Sequence, residues 1–211
     1  VVEWIIELIV VRHGETDWNR IRRLQGHTDI ALNATGIDQA DRLRDALAGE
    51  EIDAIYASDL SRAMETARPI ADLLRLPIRS DRLLRERNYG VLEGLTFPEI
   101  VEQHPDEAEH LRLRSAEHTI PGGESQRTFF DRVVDTVSRI AKVERDMAAA
   151  RGSSVSTILI VTHGGVLDML HRSASGLALD AERACPIPNA AINRLRFDKD
   201  RFVVRSWAEE P

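Results

Sequence analysis

The sequence predicts an α/β fold, a three-layer α/β/α sandwich in which helices cover both faces of a mostly parallel central sheet. Three observations carry this. The aliphatic runs Leu8–Val11 (LIVV), Ile52–Ala57 and Thr157–Val161 (TILIV) are continuous, as expected of strands buried on both faces. They alternate with stretches of helical periodicity. The middle of the chain, from Arg82 to Arg151, has no convincing strand and reads as a helical insertion over the functional edge of the sheet. The 211 residues then form one domain, 1–211, with the insertion at about 82–151.

The elements follow in order. Val1 to Val11 is apolar, but Glu3 and Glu7 interrupt it and it lacks a basic start and a small-residue cleavage site. It therefore reads as a core strand and not as a signal peptide, and it is too short to span a bilayer. Gly36–Ala48 places Ile37, Ala40, Leu43 and Leu47 at helical spacing, with Asn33 or Thr35 as cap. A second helix covers Leu60–Leu74, with a kink expected at Pro69. Phe130, Val133, Val134, Val137, Ile140 and Ala141 predict a long helix opened by the PGGES turn at Pro121–Ser125, and another helix runs from about Val166 to Ser175. Ile192–Phe197 and Phe202–Trp207 alternate about a charged turn, the pattern of a terminal hairpin.

A net charge of -7 argues against a nucleic-acid partner, which calls for a basic excess. A local cluster of Arg and His can still oppose that sign and bind an anion. The single Cys185 permits no internal disulfide, which suits a cytoplasmic protein.

Three strands end in chemistry. LIVV runs into Arg12-His13-Gly14, the second strand delivers SDLSR with Arg62, and the third ends in His163-Gly164-Gly165. Strand C-terminal ends form the ligand crevice of open α/β sheets, so two Arg and two His are expected to meet at one edge. Arg donates paired hydrogen bonds to tetrahedral oxyanions, and adjacent glycines let backbone approach a ligand. That edge is suited to a phosphoryl group. Taken singly, each piece has a plainer reading: Arg62 pairing with Glu65, Glu86 pairing with Arg85 or Arg87, and PGGES serving only to cap a helix through Ser125.

RHGETDWN, QGH at Gln25–His27, SDLSRA at Ser58–Ala63, LRERNYGVLEG at Leu84–Gly94, PGGES and VTHGG at Val161–Gly165 together resemble the histidine phosphatase superfamily, in its phosphoglycerate-mutase-like branch. The resemblance spans about residues 8–197. It implies that His13 is the nucleophile that becomes phosphohistidine, with Arg12, Arg62 and His163 holding the phosphoryl oxygens. It further implies that Glu86 is the proton donor, and that Asn19 and the Gln25-Gly26 turn add neutral donors. Gly164 and Tyr89 join them as substrate-binding residues. No metal or organic cofactor is implied, and His13, flanked by cations, should stay neutral near neutral pH.

The expected activity is hydrolysis of a small phosphorylated metabolite. The alternative is a cofactor-dependent phosphoglycerate mutase. Such mutases carry a longer insertion with a lysine and an adjacent Arg pair, and a Gly-Asn after the second His. Here Thr96–Gly123 has no Lys, Arg112 and Arg114 are not adjacent, and Gly164-Gly165 follows His163. Two further alternatives are a non-catalytic phospho-ligand-binding protein and a metal hydrolase using His13, Asp17, His27 and His163. The first is disfavoured because nucleophile and acid are both present. The second is disfavoured because Arg12 would repel a metal ion. The leaving-group pocket is expected along Leu92–Glu124, where Leu92, Leu95, Phe97 and several Arg give mixed signals. His27 has no assigned role, whereas His104, His110, His118 and His171 read as surface or structural, and Trp4, Trp18 and Trp207 as packing residues. No membrane partner is expected, and association as a homodimer stays open.

Overall fold

The computed structural model describes residues 4–211. The central sheet has six strands: β1 (Ile5–Arg12), β2 (Ala54–Ala57), β3 (Ile78–Ser80), β4 (Val155–Thr162), β5 (Ile192–Asp198) and β6 (Arg201–Glu209), in the spatial order β3-β2-β4-β1-β5-β6. The first four of that order are mutually parallel, and β5 runs antiparallel to β1 and to β6. Residues Val1–Glu3 of the N-terminal reading lie outside the described residues.

Strand alternation sorts the aliphatic runs onto two faces. Ile6, Leu8 and Val10 of β1, with Ile158 and Ile160 of β4, face α6 (Gln126–Ala150) and α7 (Gly164–Ser175). The first helix, α1 (Asp17–Arg20), is a single turn, and Ile9 and Val11, with Leu159 and Val161, face α2 (Ala34–Leu47) and α3 (Ser61–Leu74). Because both faces are covered, these strands read as unbroken apolar runs. Helix starts follow their caps: Asn33 Oδ1 accepts from Gly36 N–H at 2.9 Å, and Ser125 Oγ from Thr128 N–H at 3.0 Å. Pro69 sits inside α3, which runs on through it to Leu74. The β5–β6 turn holds Lys199 and Asp200 at φ 47° and 61°, the two left-handed residues of a tight hairpin.

The segment between β3 and β4 contains no strand, as its composition predicts. It holds two 3-10 turns (Arg82–Leu84 and Gly90–Leu92), α4 (Phe97–Gln103), α5 (Pro105–Arg112) and α6. Leu92, Ile100, Ala108 and Ile120 give the first part of it a small apolar core of its own. The three-residue β3 escaped notice in the sequence because Ile78–Ser80 is too short to show a period.

Candidate active site

The parallel register brings the strand ends level. Arg12 pairs with Thr162 and Ala57 with Val161, so the residues that follow each strand emerge side by side. Backbone bonds continue the ladder one step further, from His13 N–H to Thr162 O and from Ser58 N–H to Val161 O. His13 and His163 therefore stand with ring centroids 5.2 Å apart, at 3% and 0% exposure.

Hydrogen bonding fixes the His13 tautomer and favours one for His163. His13 Nδ1 lies 2.7 Å from the Gly14 carbonyl, which can only accept, so Nδ1 carries the proton. Burial, then the charges of Arg62 and Arg12, hold this imidazole well below the usual histidine range, so Nε2 keeps its lone pair at neutral pH. His163 is lowered in the same way by burial, Arg62, His13 and Arg12. Its Nε2 is 2.8 Å from Ser58 Oγ. Ser58 Oγ accepts from Leu60 N–H at 3.4 Å, so its own proton is free for His163 Nε2, an arrangement that leaves the His163 proton on Nδ1.

Arg62 is fully buried on the first turn of α3. It does not pair with Glu65, whose carboxylate accepts from Leu32 N–H. Instead its two terminal nitrogens donate to Thr28 O at 2.8 Å and Gly26 O at 2.7 Å. Gly26 has φ +53°, and a Cβ there would come 2.1 Å from Glu93 Oε1. The QGH turn thus supplies carbonyls that aim Arg62. Arg12 is aimed from the other side, its Nη1 donating to Ile187 O at 2.8 Å. Burial lowers the Arg62 guanidinium to about 10, still cationic at neutral pH.

Three donors at this edge are buried and have no partner among the described residues: Arg12 Nε, Arg62 Nε and His163 Nδ1. Buried N–H groups are almost always satisfied, so three orphans around the His13 ring mark a site for an acceptor-rich anion. Asn19 and Gln25 fit the same picture. Their side-chain oxygens are taken by Thr16 N–H and by the Thr16 hydroxyl, which leaves their amide N–H groups available. Gly164 packs beside Arg12, and a Cβ there would lie 3.3 Å from Arg12 Nε.

The Glu86 carboxylate is held by two backbone N–H groups, Arg87 at 2.8 Å and Gly165 at 2.9 Å. It makes no ion pair with its neighbours. Arg85 goes to Asp59, and Arg87 donates to the Glu124 carbonyl. The main chain around Glu86 is clamped by Arg132 of α6, which donates to the carbonyls of Leu83, Arg85 and Glu86 and pairs with Glu124 at 2.8 Å. His27 Nε2 also reaches Glu86 O, at 3.0 Å. The PGGES turn does cap α6, and Glu124 within it additionally anchors Arg132 and Asn88 N–H.

Beside Glu86 lies a cavity of about 130 Å³. Tyr89 lines it, as do His110 and His118, which are also tied to Ser115 and Glu107, as structural residues would be. Their rings stack at 3.6 Å. The segment Leu92–Glu124 does line the cavity, through Glu107, Leu111, Arg114 and Ile120 among others, whereas Leu92, Leu95 and Phe97 do not. Leu92 and Leu95 pack in the small insertion core, and Phe97 is exposed. The sequence reading also missed Ser58, Glu93, Arg132 and Gly165. Each acts on a site residue through a contact between distant segments, although Ser58, Glu93 and Gly165 stand within the quoted motifs. The metal-hydrolase set does not assemble: Asp17 is exposed and pairs with Arg20, and no group of three suitable ligands occurs among the described residues.

A mostly parallel sheet whose strand ends present two imidazoles and two guanidinium groups, with a carboxylate at the rim, is an α/β architecture suited to a tetrahedral oxyanion. The chain belongs to the histidine phosphatase superfamily (branch 1), whose family model matches residues 8–210. It is 37% identical over 207 residues to the phosphoglycerate mutase-like protein 4 of Arabidopsis thaliana, covering 96% of this chain and 85% of that one. It is 33% identical over 208 residues to a metal-independent phosphoserine phosphatase of the same plant, covering 97% and 82%. Among solved structures, YhfR of Bacillus stearothermophilus superposes with a TM-score of 0.85 at 32% identity, covering 97% of both chains. No helix among the described residues is long and apolar enough to cross a membrane.

Proposed function

We propose that this protein is a phosphomonoester hydrolase that works through a phosphohistidine on His13. The observation that carries the reading is the trio of orphaned buried donors, Arg12 Nε, Arg62 Nε and His163 Nδ1, gathered around a neutral imidazole. In the first step His13 Nε2 attacks phosphorus, the N–P bond forms, and the ester P–O bond breaks. The arginines and His163 take up the charge on the three non-bridging oxygens. Glu86 delivers a proton to the leaving oxygen. In the second step the Glu86 carboxylate takes a proton from water, whose oxygen attacks phosphorus, and the N–P bond breaks to return neutral His13. Every proton and charge is handled by side chains, so the cycle calls for no metal ion.

The second reading, a phosphoglycerate mutase, draws support from the relative named phosphoglycerate mutase-like protein 4. Turnover of a panel of phosphomonoesters in EDTA tests both, with 3-phosphoglycerate assayed for isomerisation in the presence of 2,3-bisphosphoglycerate. The expected result is release of inorganic phosphate that survives EDTA and disappears in His13→Ala. Isomerisation faster than phosphate release supports the mutase. Loss of activity in EDTA, or its retention in His13→Ala, contradicts the mechanism.

A further inference from the structure

Glu86 lies in a stretch that no regular element holds. Residues 85–89 follow the 3-10 turn Arg82–Leu84 and belong to neither helix nor strand, so the main chain there finds its hydrogen-bond partners elsewhere. Thr162 Oγ1 donates to Leu84 O at 2.7 Å. The carbonyls on either side share one side chain, Arg132 on the second turn of α6. Its Nη1 donates to Leu83 O at 2.7 Å and to Arg85 O at 3.0 Å, and its Nη2 donates to Glu86 O at 3.1 Å. The remaining N–H groups go to Glu124, from Nε to Oε1 and from Nη2 to Oε2, both at 2.8 Å. All five donors of the guanidinium are thereby used.

Glu124 grips the other side of the acid. Its Oε2 accepts from Asn88 N–H at 2.8 Å, and its carbonyl accepts from the Arg87 guanidinium. The Phe129 ring, one turn before Arg132 on α6, has its centre 5.0 Å from the guanidinium carbon and also stands beside Gly165, whose N–H holds the Glu86 carboxylate. Arg132 itself touches only the main chain of Glu86. The carboxylate accepts from Arg87 N–H and Gly165 N–H, and Arg132 does not line the cavity beside it. A carboxyl that hands a proton to one oxygen and later takes one from water has to be held to a fraction of an ångström.

Resting on the phosphatase reading above, we infer that Arg132, held by Glu124, is a positioning residue for proton transfer: it fixes the main chain of Glu86 so that the carboxyl meets the leaving oxygen. Lysine keeps the charge but offers three donors and no planar fork, so it cannot bridge the same acceptors.

Steady-state kinetics of Arg132→Lys and Glu124→Gln, each made in the wild type and in Glu86→Gln, test this. The substrates are p-nitrophenyl phosphate, whose leaving group needs no proton, and the alkyl phosphate that the wild type turns over best. For the alkyl ester, kcat/KM of Arg132→Lys should fall by about 10- to 100-fold, and for p-nitrophenyl phosphate by far less. Inhibition by inorganic phosphate, which reads Arg12, Arg62 and His163, should stay at its wild-type level. Glu124→Gln should show the same pattern in weaker form. In the Glu86→Gln background neither change should add to the alkyl-ester loss, because a residue that acts through the acid then has nothing to position. Unchanged alkyl-ester turnover, equal losses on both esters, losses that multiply in the double variants, or loss of the fold in both single variants would overturn the inference and leave the phosphatase reading standing. Wild-type turnover that survives His13→Ala, or no turnover of any ester, removes that reading and this inference with it.

Discussion

The Ser58 hydroxyl lies 2.8 Å from His163 Nε2, and this contact decides which face of the second histidine meets the anion. With the hydroxyl donating to Nε2, the proton sits on Nδ1, one of the three orphaned donors. In Ser58→Ala the ring loses that constraint, and the other tautomer presents a lone pair to the phosphoryl oxygens. We expect kcat/KM to fall by about 10- to 100-fold, with weaker inhibition by inorganic phosphate and a thermal midpoint within a few degrees of wild type. Unchanged phosphate inhibition would mean that His163 does not depend on Ser58.

Glu86 should matter in proportion to the need for a proton. For alkyl phosphates, Glu86→Gln should lower kcat by about 10² to 10⁴. For p-nitrophenyl phosphate, whose leaving group departs as a stable anion, the loss of the first step should be far smaller. Equal losses on both esters would argue that Glu86 positions the substrate and transfers no proton.

Gly165 tests the same carboxylate without touching its chemistry. A Cβ at this position would lie 2.0 Å from Glu86 Oε1 and 3.0 Å from the buried Phe129 ring, so a methyl there must displace the carboxylate and press on that ring. Gly165→Ala is expected to fold with a loss of about 1–3 kcal/mol from overpacking against Phe129. It should nonetheless copy the leaving-group dependence of Glu86→Gln. Urea unfolding and the two-ester comparison read the two halves of this prediction separately, and wild-type turnover of alkyl esters would refute it.

The buried histidines give stability a sign with pH. His13 and His163 both have folded-state values depressed below the unfolded one near 6.5, so the unfolded chain binds more protons below that pH. Their contribution is fully present above about pH 6.5 and is lost as pH falls toward the depressed folded values. Each can steepen the loss by at most about 1.4 kcal/mol per pH unit. His163→Asn should therefore flatten the fall in stability measured by urea unfolding between roughly pH 6.5 and 5. An identical slope would show that His163 is charged in the folded protein. By the same sign, the acid limb of kcat/KM should lie well below the usual histidine range.

Much of this architecture is legible in the sequence because burial writes itself into composition. The runs at β1 and β4 are apolar throughout because both faces are covered, and RHG and HGG mark the strand ends that meet. What the sequence withholds is set by partners far along the chain. Arg62 looks like half of an i,i+3 pair with Glu65 until the fold brings Gly26 and Thr28 to its guanidinium. Arg132 looks like a solvated residue on a long helix, yet it gathers three carbonyls from around Glu86. His110 and His118 are eight positions apart, and only the turn after α5 stacks them on the cavity. Leu92 and Leu95 carry no sign that they serve a small separate core and not the pocket.

The central claim is a covalent N–P bond at His13, and trapping it is the most direct measurement. The enzyme, acid-free and rapidly denatured during turnover of a good phosphomonoester, should carry one phosphoryl group. Peptide mass analysis should place it on His13, and the label should be acid-labile, absent in His13→Ala and longer-lived in Glu86→Gln. A turning-over enzyme that never shows the label, or a label on any other residue, would contradict the account.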